Sequence, residues 1–277
     1  MGFWAGALRR FLRHKGGVIG LAILSLIILL VLLAPLLAPY DPIKPNYAVR
    51  LQGPSLGHLL GTDELGRDLL SRMLWGGRLS LSVGVIAVLV GMIFGTALGL
   101  LSGFYKGADS AISRAMDILL SVPGLLLEIA IVATLGAGLQ NVMIAVGIFS
   151  IPSYVRVVRA SVLSAREAEY VEAARAVGVR DIGIMVRHLL PNVLGPLIVV
   201  TTFGLAGSIL SASALSFLGL GVQPPNPEWG AILNQGRSFM LTAPWMVALP
   251  GAVITTVILC LNLVGDGLRD ALDPRLK

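Results

Sequence analysis

The chain has 277 residues, of which 56% are hydrophobic and 13% charged, and 33 are glycine. Soluble proteins carry ~25% charged residues, so this chain has too few polar groups to wrap its apolar material in a water-facing surface. The same figures exclude disorder. A net charge of +6 is spread along the chain rather than gathered on one basic face, which argues against nucleic acid. Cys260 is the single cysteine, so there is no disulfide framework and no cysteine-built metal site. The expectation is an all-α membrane protein.

A helix needs ~20 apolar residues to cross the hydrocarbon core, so the gaps between charges locate the spans. At the N-terminus, Phe3–Arg13 mixes aromatic and apolar residues with arginines. It is either a helix lying on the inner membrane surface or a plain positively charged flank. The first span covers residues 17–38 and is longer than the apolar core of a signal peptide. Residues 40–78 form the largest outside segment, broken by Pro42, Pro45 and Pro54. Within it Gly61, Thr62, Asp63, Glu64, Gly66, Arg67 and Asp68 concentrate charge at turn-like spacing. A second span over 79–103 carries Gly91, Gly95, Gly99 and Gly103 on one stripe, the spacing that lets helices pack backbone to backbone. The plainer alternative is that membrane helices are glycine-rich in general.

Between Asp117 and Arg156 the sequence predicts two short spans joined by a hairpin at 135–141. Glu128 is the one ionisable residue well inside a span, on a stripe with Ser121 and Gly124. Either it lines a polar pathway, or it is a structural residue hydrogen-bonded to a neighbouring helix or subunit. Residues 156–188 are hydrophilic: a helix running to Ala176 and ended by Gly178, then a short helix capped by Asp181 and stopped by Pro191. Val171, Ala173, Ala174 and Val177 give this segment a small apolar patch suited to another protein's surface. The fifth span covers 192–222, before the breaker cluster Pro224-Pro225-Asn226-Pro227. The sixth lies between Arg237 and Asp266. Counting Lys and Arg in the connections places both termini in the cytoplasm, because most of them, including Arg9, Arg10, Arg13, Lys15 and the six from Arg156 to Arg187, then lie inside.

The chain has four lysines and no phosphate-binding G-x-x-x-x-G-K-[ST] loop, no H-E-x-x-H and no nucleophile elbow. Catalysis is not expected, no metal site is expected, and transport, channel formation or scaffolding remain. An ion-coupled secondary transporter would call for inverted repeats and several midplane charges.

Glu172-Ala173-Ala174, Gly178 and Leu190-Pro191 together resemble the signature loop of permease subunits in binding-protein-dependent ABC importers. Leu60 to Asp68 (LGTDELGRD), Ala214 to Gly221 (ALSFLGLG), and Asp266 to Asp270 with Asp273-Pro274 resemble the dipeptide/oligopeptide and nickel branch. The match covers nearly the whole chain and is similar to the second, C-type permease. The resemblance implies a type I importer fold divided into an N-terminal part (1–75), a permease domain (76–266, with a coupling loop at 161–192) and a C-terminal tail (267–277). It implies residence in the bacterial inner membrane, a heterodimer with a sister permease, two ATPase subunits that bind the ATP and Mg, and an external solute-binding protein. Glu172 would anchor a cytoplasmic ATPase, Ala173 and Ala174 would form the contact face, and Gly178 the bend. The GTDELGRD turn would face the binding protein or the sister permease, or else cap the second span internally. Two departures stand out: His188 replaces the general Ile, as is usual in the peptide branch, and Ala212 stands where that branch commonly carries Glu. The implied cargo is a di- or oligopeptide, with nickel or another small solute as the alternative.

Overall fold

The computed structural model describes residues 3–272. Asp273-Pro274, part of the C-terminal motif, lies outside the described residues. Among those described, the secondary structure is helical, with one isolated bridge between Thr62 and Asp68. In chain order the helices are α1 (Phe3–Arg13), α2 (Lys15–Leu32), α3 (Ala34–Leu37), α4 (Leu69–Phe104), α5 (Lys106–Ser121), α6 (Gly124–Leu135), α7 (Leu139–Ala165), α8 (Glu169–Ala176), α9 (Asp181–Ile184), α10 (Leu190–Phe217), α11 (Trp229–Gly236) and α12 (Trp245–Leu272). Five stretches are long and apolar enough to cross a membrane: α2, α4, α7, the run from α9 through α10, and α12.

The expected pair of short spans between Asp117 and Arg156 takes a different form. α5 starts at Lys106 and meets α6 at a 91° bend. Pro123 causes the break: its ring pushes Val122 into extended backbone (φ −96°, ψ 135°), and it has no N–H with which to continue the helix. With 12 residues, α6 alone is ~18 Å long, short of a ~30 Å core, so the count is five spans, or six if α5 and α6 together make one bent span. The 27-residue α7 is a full-length span, and Gly136 and Gly138 make the predicted hairpin before it. Because the helix breaks at Val122-Pro123, Ser121 does not share a stripe with Glu128.

Pro191 is the second correction. Rather than ending a helix, it sits in the first turn of α10, where a missing N–H costs least. Five residues of π-helix, Met185–Leu189, join α9 to α10, and Leu190 N–H reaches back to Met185 O. The wider turn accommodates the proline, and residues 181–217 run on as one continuous helical stretch. Asp181 is the first residue of α9, and Arg180 holds the capping position.

Packing is densest where α4 runs against α7, and α10 lies across both. The core there gathers Leu100, Phe104, Tyr154, Val158, Val162, Val171, Ile184, Leu189 and Val193. A second cluster joins α2, α4, α10, α11 and α12 around Trp229 and Ile232. α1 folds back on the end of α12: Ala7 and Phe11 are buried, and Arg10 Nε donates to Ala271 O at 2.9 Å. Leu8 and Leu12 face outward beside Arg9 and Arg13, so the segment is amphipathic rather than a plain charged flank.

Candidate functional site

The coupling-type loop is a helix held rigidly by one face. In α8, Val171 is fully buried and Ala174 is 6% exposed, both in the core with Val158, Val162 and Leu189. Glu172, Ala173, Ala176 and Val177 are exposed. The expected contact face of Ala173 with Ala174 is therefore divided. Residues 171 and 174 are one turn apart and both point inward, whereas 173 lies about 100° away on the outer side. Ala173, Glu172 and Val177 are what a docking protein would meet, and the exposed Ile182 and Val186 extend that surface.

Gly178 ends α8 with φ +81°. Its N–H donates to Arg175 O (2.9 Å), and Val179 N–H reaches Ala174 O (3.0 Å), which closes the C-terminus with two bonds to orphan carbonyls. An added Cβ would meet nothing within 4 Å. Gly178→Ala should therefore cost only the left-handed backbone penalty, about 1 kcal/mol, seen as faster amide exchange confined to residues 169–179. Several ties fasten the segment to the long helices. Tyr105 OH donates to Asp181 Oδ2 (2.9 Å), the Arg175 guanidinium lies 5.3 Å over the Phe104 ring, and Arg166 Nη1 donates to Gly103 O (3.0 Å). Leu190 and Pro191 lie at the head of α10, beside Asn192, whose Nδ2 donates to Tyr170 OH (3.0 Å).

Those ties lead directly into the glycine stripe. An added Cβ on Gly91, Gly95, Gly99 or Gly103 would strike Ser150, Tyr154, Val158 or Val162 in turn, all on α7. Gly147 of α7 reciprocates against Val90 of α4. The stripe thus packs within this chain, as a continuous zipper along the α4–α7 pair.

In the segment between α3 and α4 the charged turn is folded inward. Thr62, Asp63, Arg67 and Asp68 are each at most 2% exposed. Asp63 Oδ1 accepts the Leu65 and Arg67 N–H groups, and its Oδ2 receives Arg67 Nε at 2.6 Å. Arg72 Nε lies 3.2 Å from the same oxygen, off the hydrogen-bond direction, so that contact is electrostatic. Asp68 caps α4 by accepting from Ser71 N–H (2.8 Å), and its other oxygen meets His58 Nδ1 at 2.9 Å. Gly61 (φ +80°) and Gly66 (φ +73°) supply the two left-handed turns, and at Gly66 a side chain would collide with Asn46 O. Burial, and the charge of Asp63 beside it, push the Glu64 carboxyl above its ordinary range, against the pull of Arg67. Of the readings left open for this turn, the geometry is that of an internal cap on α4.

Sequence reasoning overlooked what this turn holds on to. Gln235 Oε1 of α11 accepts from both Arg67 Nη2 (3.3 Å) and Arg72 Nη2 (3.0 Å). Glu228, 2% exposed, caps α11 through Gly230 and Ala231 N–H and accepts from Ser80 Oγ at 2.8 Å. The signal available was an acidic residue next to Trp229-Gly230 after a proline cluster, a strong helix start.

Glu128 is 1% exposed, and neither carboxylate oxygen has a hydrogen-bond partner. Ser211 of α10 is the polar group it approaches. In this conformation the side chain is enclosed between α6 and its neighbouring helices rather than facing an open path. Ala212 beside Ser211 is buried as well.

Residues 88–277 match the family described as binding-protein-dependent transport system inner membrane component, and residues 2–54 match the N-terminal TM domain of oligopeptide transport permease C. The chain is 48% identical over 275 residues to a dipeptide transport system permease protein of Alkalihalophilus pseudofirmus, covering 99% of this chain and 90% of that one. It is 49% identical to a glutathione transport system permease protein of Pectobacterium atrosepticum (99% and 92% covered). It is 48% identical to a di/tripeptide transport system permease protein of Pseudomonas aeruginosa (99% and 92%). Among solved structures, an inward-facing MetNI methionine ABC transporter chain superposes with a TM-score of 0.56 at 19% identity, covering 72% of this chain and 94% of that one. That likeness shows the fold. With matches over nearly the whole length, the chain belongs to the family of multi-pass inner-membrane permease components of binding-protein-dependent ABC importers.

Proposed function

We propose that this chain forms half of the translocation path of an importer for di- or oligopeptides, paired with a sister permease. Two ATPase subunits bind the ATP and Mg and dock on α8 from the cytoplasm, an external binding protein delivers the cargo, and both termini are cytoplasmic. The observation that carries the coupling role is the split of α8: one face is locked into α4 and α7, and the other presents Glu172, Ala173 and Val177 to a partner. A helix anchored on one side and free on the other transmits a push as a rigid body. The peptide cargo is supported by the names of relatives at 48% identity. The glutathione-named relative, itself a transporter of a peptide-like solute by name, is consistent with the same cargo class.

The test uses the four-subunit complex with its binding protein in proteoliposomes. Ala173→Trp should leave assembly of the two permeases intact yet reduce cargo-stimulated ATP hydrolysis at least about tenfold. Normal stimulation would remove α8 as the docking element. Uptake of a labelled dipeptide, with glutathione and Ni²⁺ as competitors, identifies the cargo, and displacement by Ni²⁺ alone would overturn the peptide assignment.

A further inference from the structure

Two cavities outside the coupling and turn sites share a wall at Arg78. The outer one, about 930 Å³, is a bowl lined by Pro39, Tyr40, Asp41, Trp75, Arg78 and Asn226. Next to it runs a groove of about 450 Å³ lined by Leu24, Ile28, Val31, Val85, Ile86 and Ile209, with Arg78 again at its end. The groove lies between α2 and α4, over a floor from α10, at the level of apolar segments that cross the membrane. Its walls are almost wholly aliphatic, and the bowl's are mixed.

Arg78 is exposed, and among the described residues it makes no hydrogen bond or ion pair. Its one partner is the Trp75 ring, 5.1 Å from the guanidinium carbon. Tryptophan and arginine together mark the headgroup level of a bilayer, where an unpaired guanidinium meets lipid phosphate. An apolar slot, a fork of donors at its mouth and a polar bowl beyond follow the shape of one amphiphile.

We propose that this surface is a phospholipid site. One acyl chain lies in the groove between α2 and α4, the phosphate sits on Arg78, and the headgroup rests in the bowl. Charge complementarity favours a phosphodiester, which a planar guanidinium engages through two oxygens. Asp41 in the bowl disfavours any negative charge on the headgroup beyond the phosphate, so the fitting lipid carries an amine. Such a lipid would wedge α2, which has few other contacts with α4, onto the bundle at the end where the outside segment begins. This inference rests on the cavities and not on the identity of the cargo.

The probe is phosphatidylethanolamine with a photoactivatable acyl chain, incorporated with the intact complex into nanodiscs of phosphatidylethanolamine and phosphatidylglycerol. Labelled residues are mapped by mass spectrometry. Labelling should concentrate on Ile28, Val85 and Ile86 relative to Leu126, an exposed residue of α6. Arg78→Gln should lower the groove labelling about tenfold, the worth of one charge-assisted contact. Val85→Phe, which fills the groove from an exposed position, should abolish it. Constant labelling at Leu126 in the same samples shows that the variants remain folded. Equal labelling of groove and Leu126, or no change with Arg78→Gln, would overturn the proposal. So would crosslinks from the groove to the sister permease in place of lipid, since the groove would then be a protein contact.

Discussion

Asp63→Ala is expected to destabilise the purified complex by about 3–5 kcal/mol, because it strands two buried guanidiniums rather than one. Arg67 and Arg72 are 2% and 0% exposed, and both lean on Asp63 Oδ2. Burying a charge without its counter-ion costs far more than a surface ion pair gains. The same substitution also removes the acceptor for the Leu65 and Arg67 N–H groups, so the turn loses its internal frame. Asp63→Asn keeps an acceptor oxygen without the charge and should fall between wild type and Ala. Glu64 already reaches Arg67 Nη2 at 3.1 Å; burial still pushes its pKa up, but with Asp63 gone the added repulsion is lost, so Glu64 becomes a partial substitute. Asp63→Ala with Glu64→Gln should therefore lose more than the sum of the two single changes. Thermal melting of the four variants beside wild type measures all of this. A melting temperature for Asp63→Ala within a degree of wild type would mean that the arginines are not held by Asp63.

The contrast between what the sequence revealed and what it concealed follows from the range of each interaction. Long apolar runs bounded by charges mark α2, α4, α7, α10 and α12, since a membrane's thickness sets their length independently of what they touch. Gly178 was legible for a similar reason: a helix end needs a left-handed residue, and the two bonds that close α8 span only five residues. Proline effects were legible in kind and not in place. Pro123 breaks a helix and Pro191 does not, because Pro191 falls in a first turn while a π segment upstream takes up the register. The inward turn of Ala174 depends on where α8 docks, and that is set by Val158 and Leu189, distant in sequence. The partnership of Arg67 and Arg72 with Gln235 spans more than 160 residues, and no local pattern carries it. Glu128 was visible as an anomaly, yet its enclosure comes from the packing of α6 against α7 and α10, which no local pattern carries.

Gly95→Leu should be the most damaging single change in the membrane-embedded part. At Gly95 even a methyl group would lie against Tyr154 and 2.9 Å from the Ile151 carbonyl oxygen, and the latter is backbone that cannot rotate away. A leucine must therefore separate α4 from α7 along the whole stripe, since Gly91, Gly99 and Gly103 make the same close approach above and below. Overpacking in a core typically costs about 1–3 kcal/mol, and here three neighbouring contacts are lost with it. Gly95→Ala should show a smaller loss of the same kind. Gly207 of α10 is the control, because a Cβ there meets nothing within 4 Å, so Gly207→Ala should be neutral or slightly stabilising. The α8 segment, for which a coupling role is proposed, adds a second readout. Arg166 bonds the Gly103 carbonyl at 3.0 Å and Arg175 lies over Phe104, so parting α4 from α7 also loosens α8 from the bundle. Gly95→Leu should accordingly lower melting and, in whatever complex still assembles, uncouple ATP hydrolysis from cargo. Normal melting and coupling in Gly95→Leu, alongside a neutral Gly207→Ala, would mean that α4 and α7 are not joined through this stripe in the working transporter.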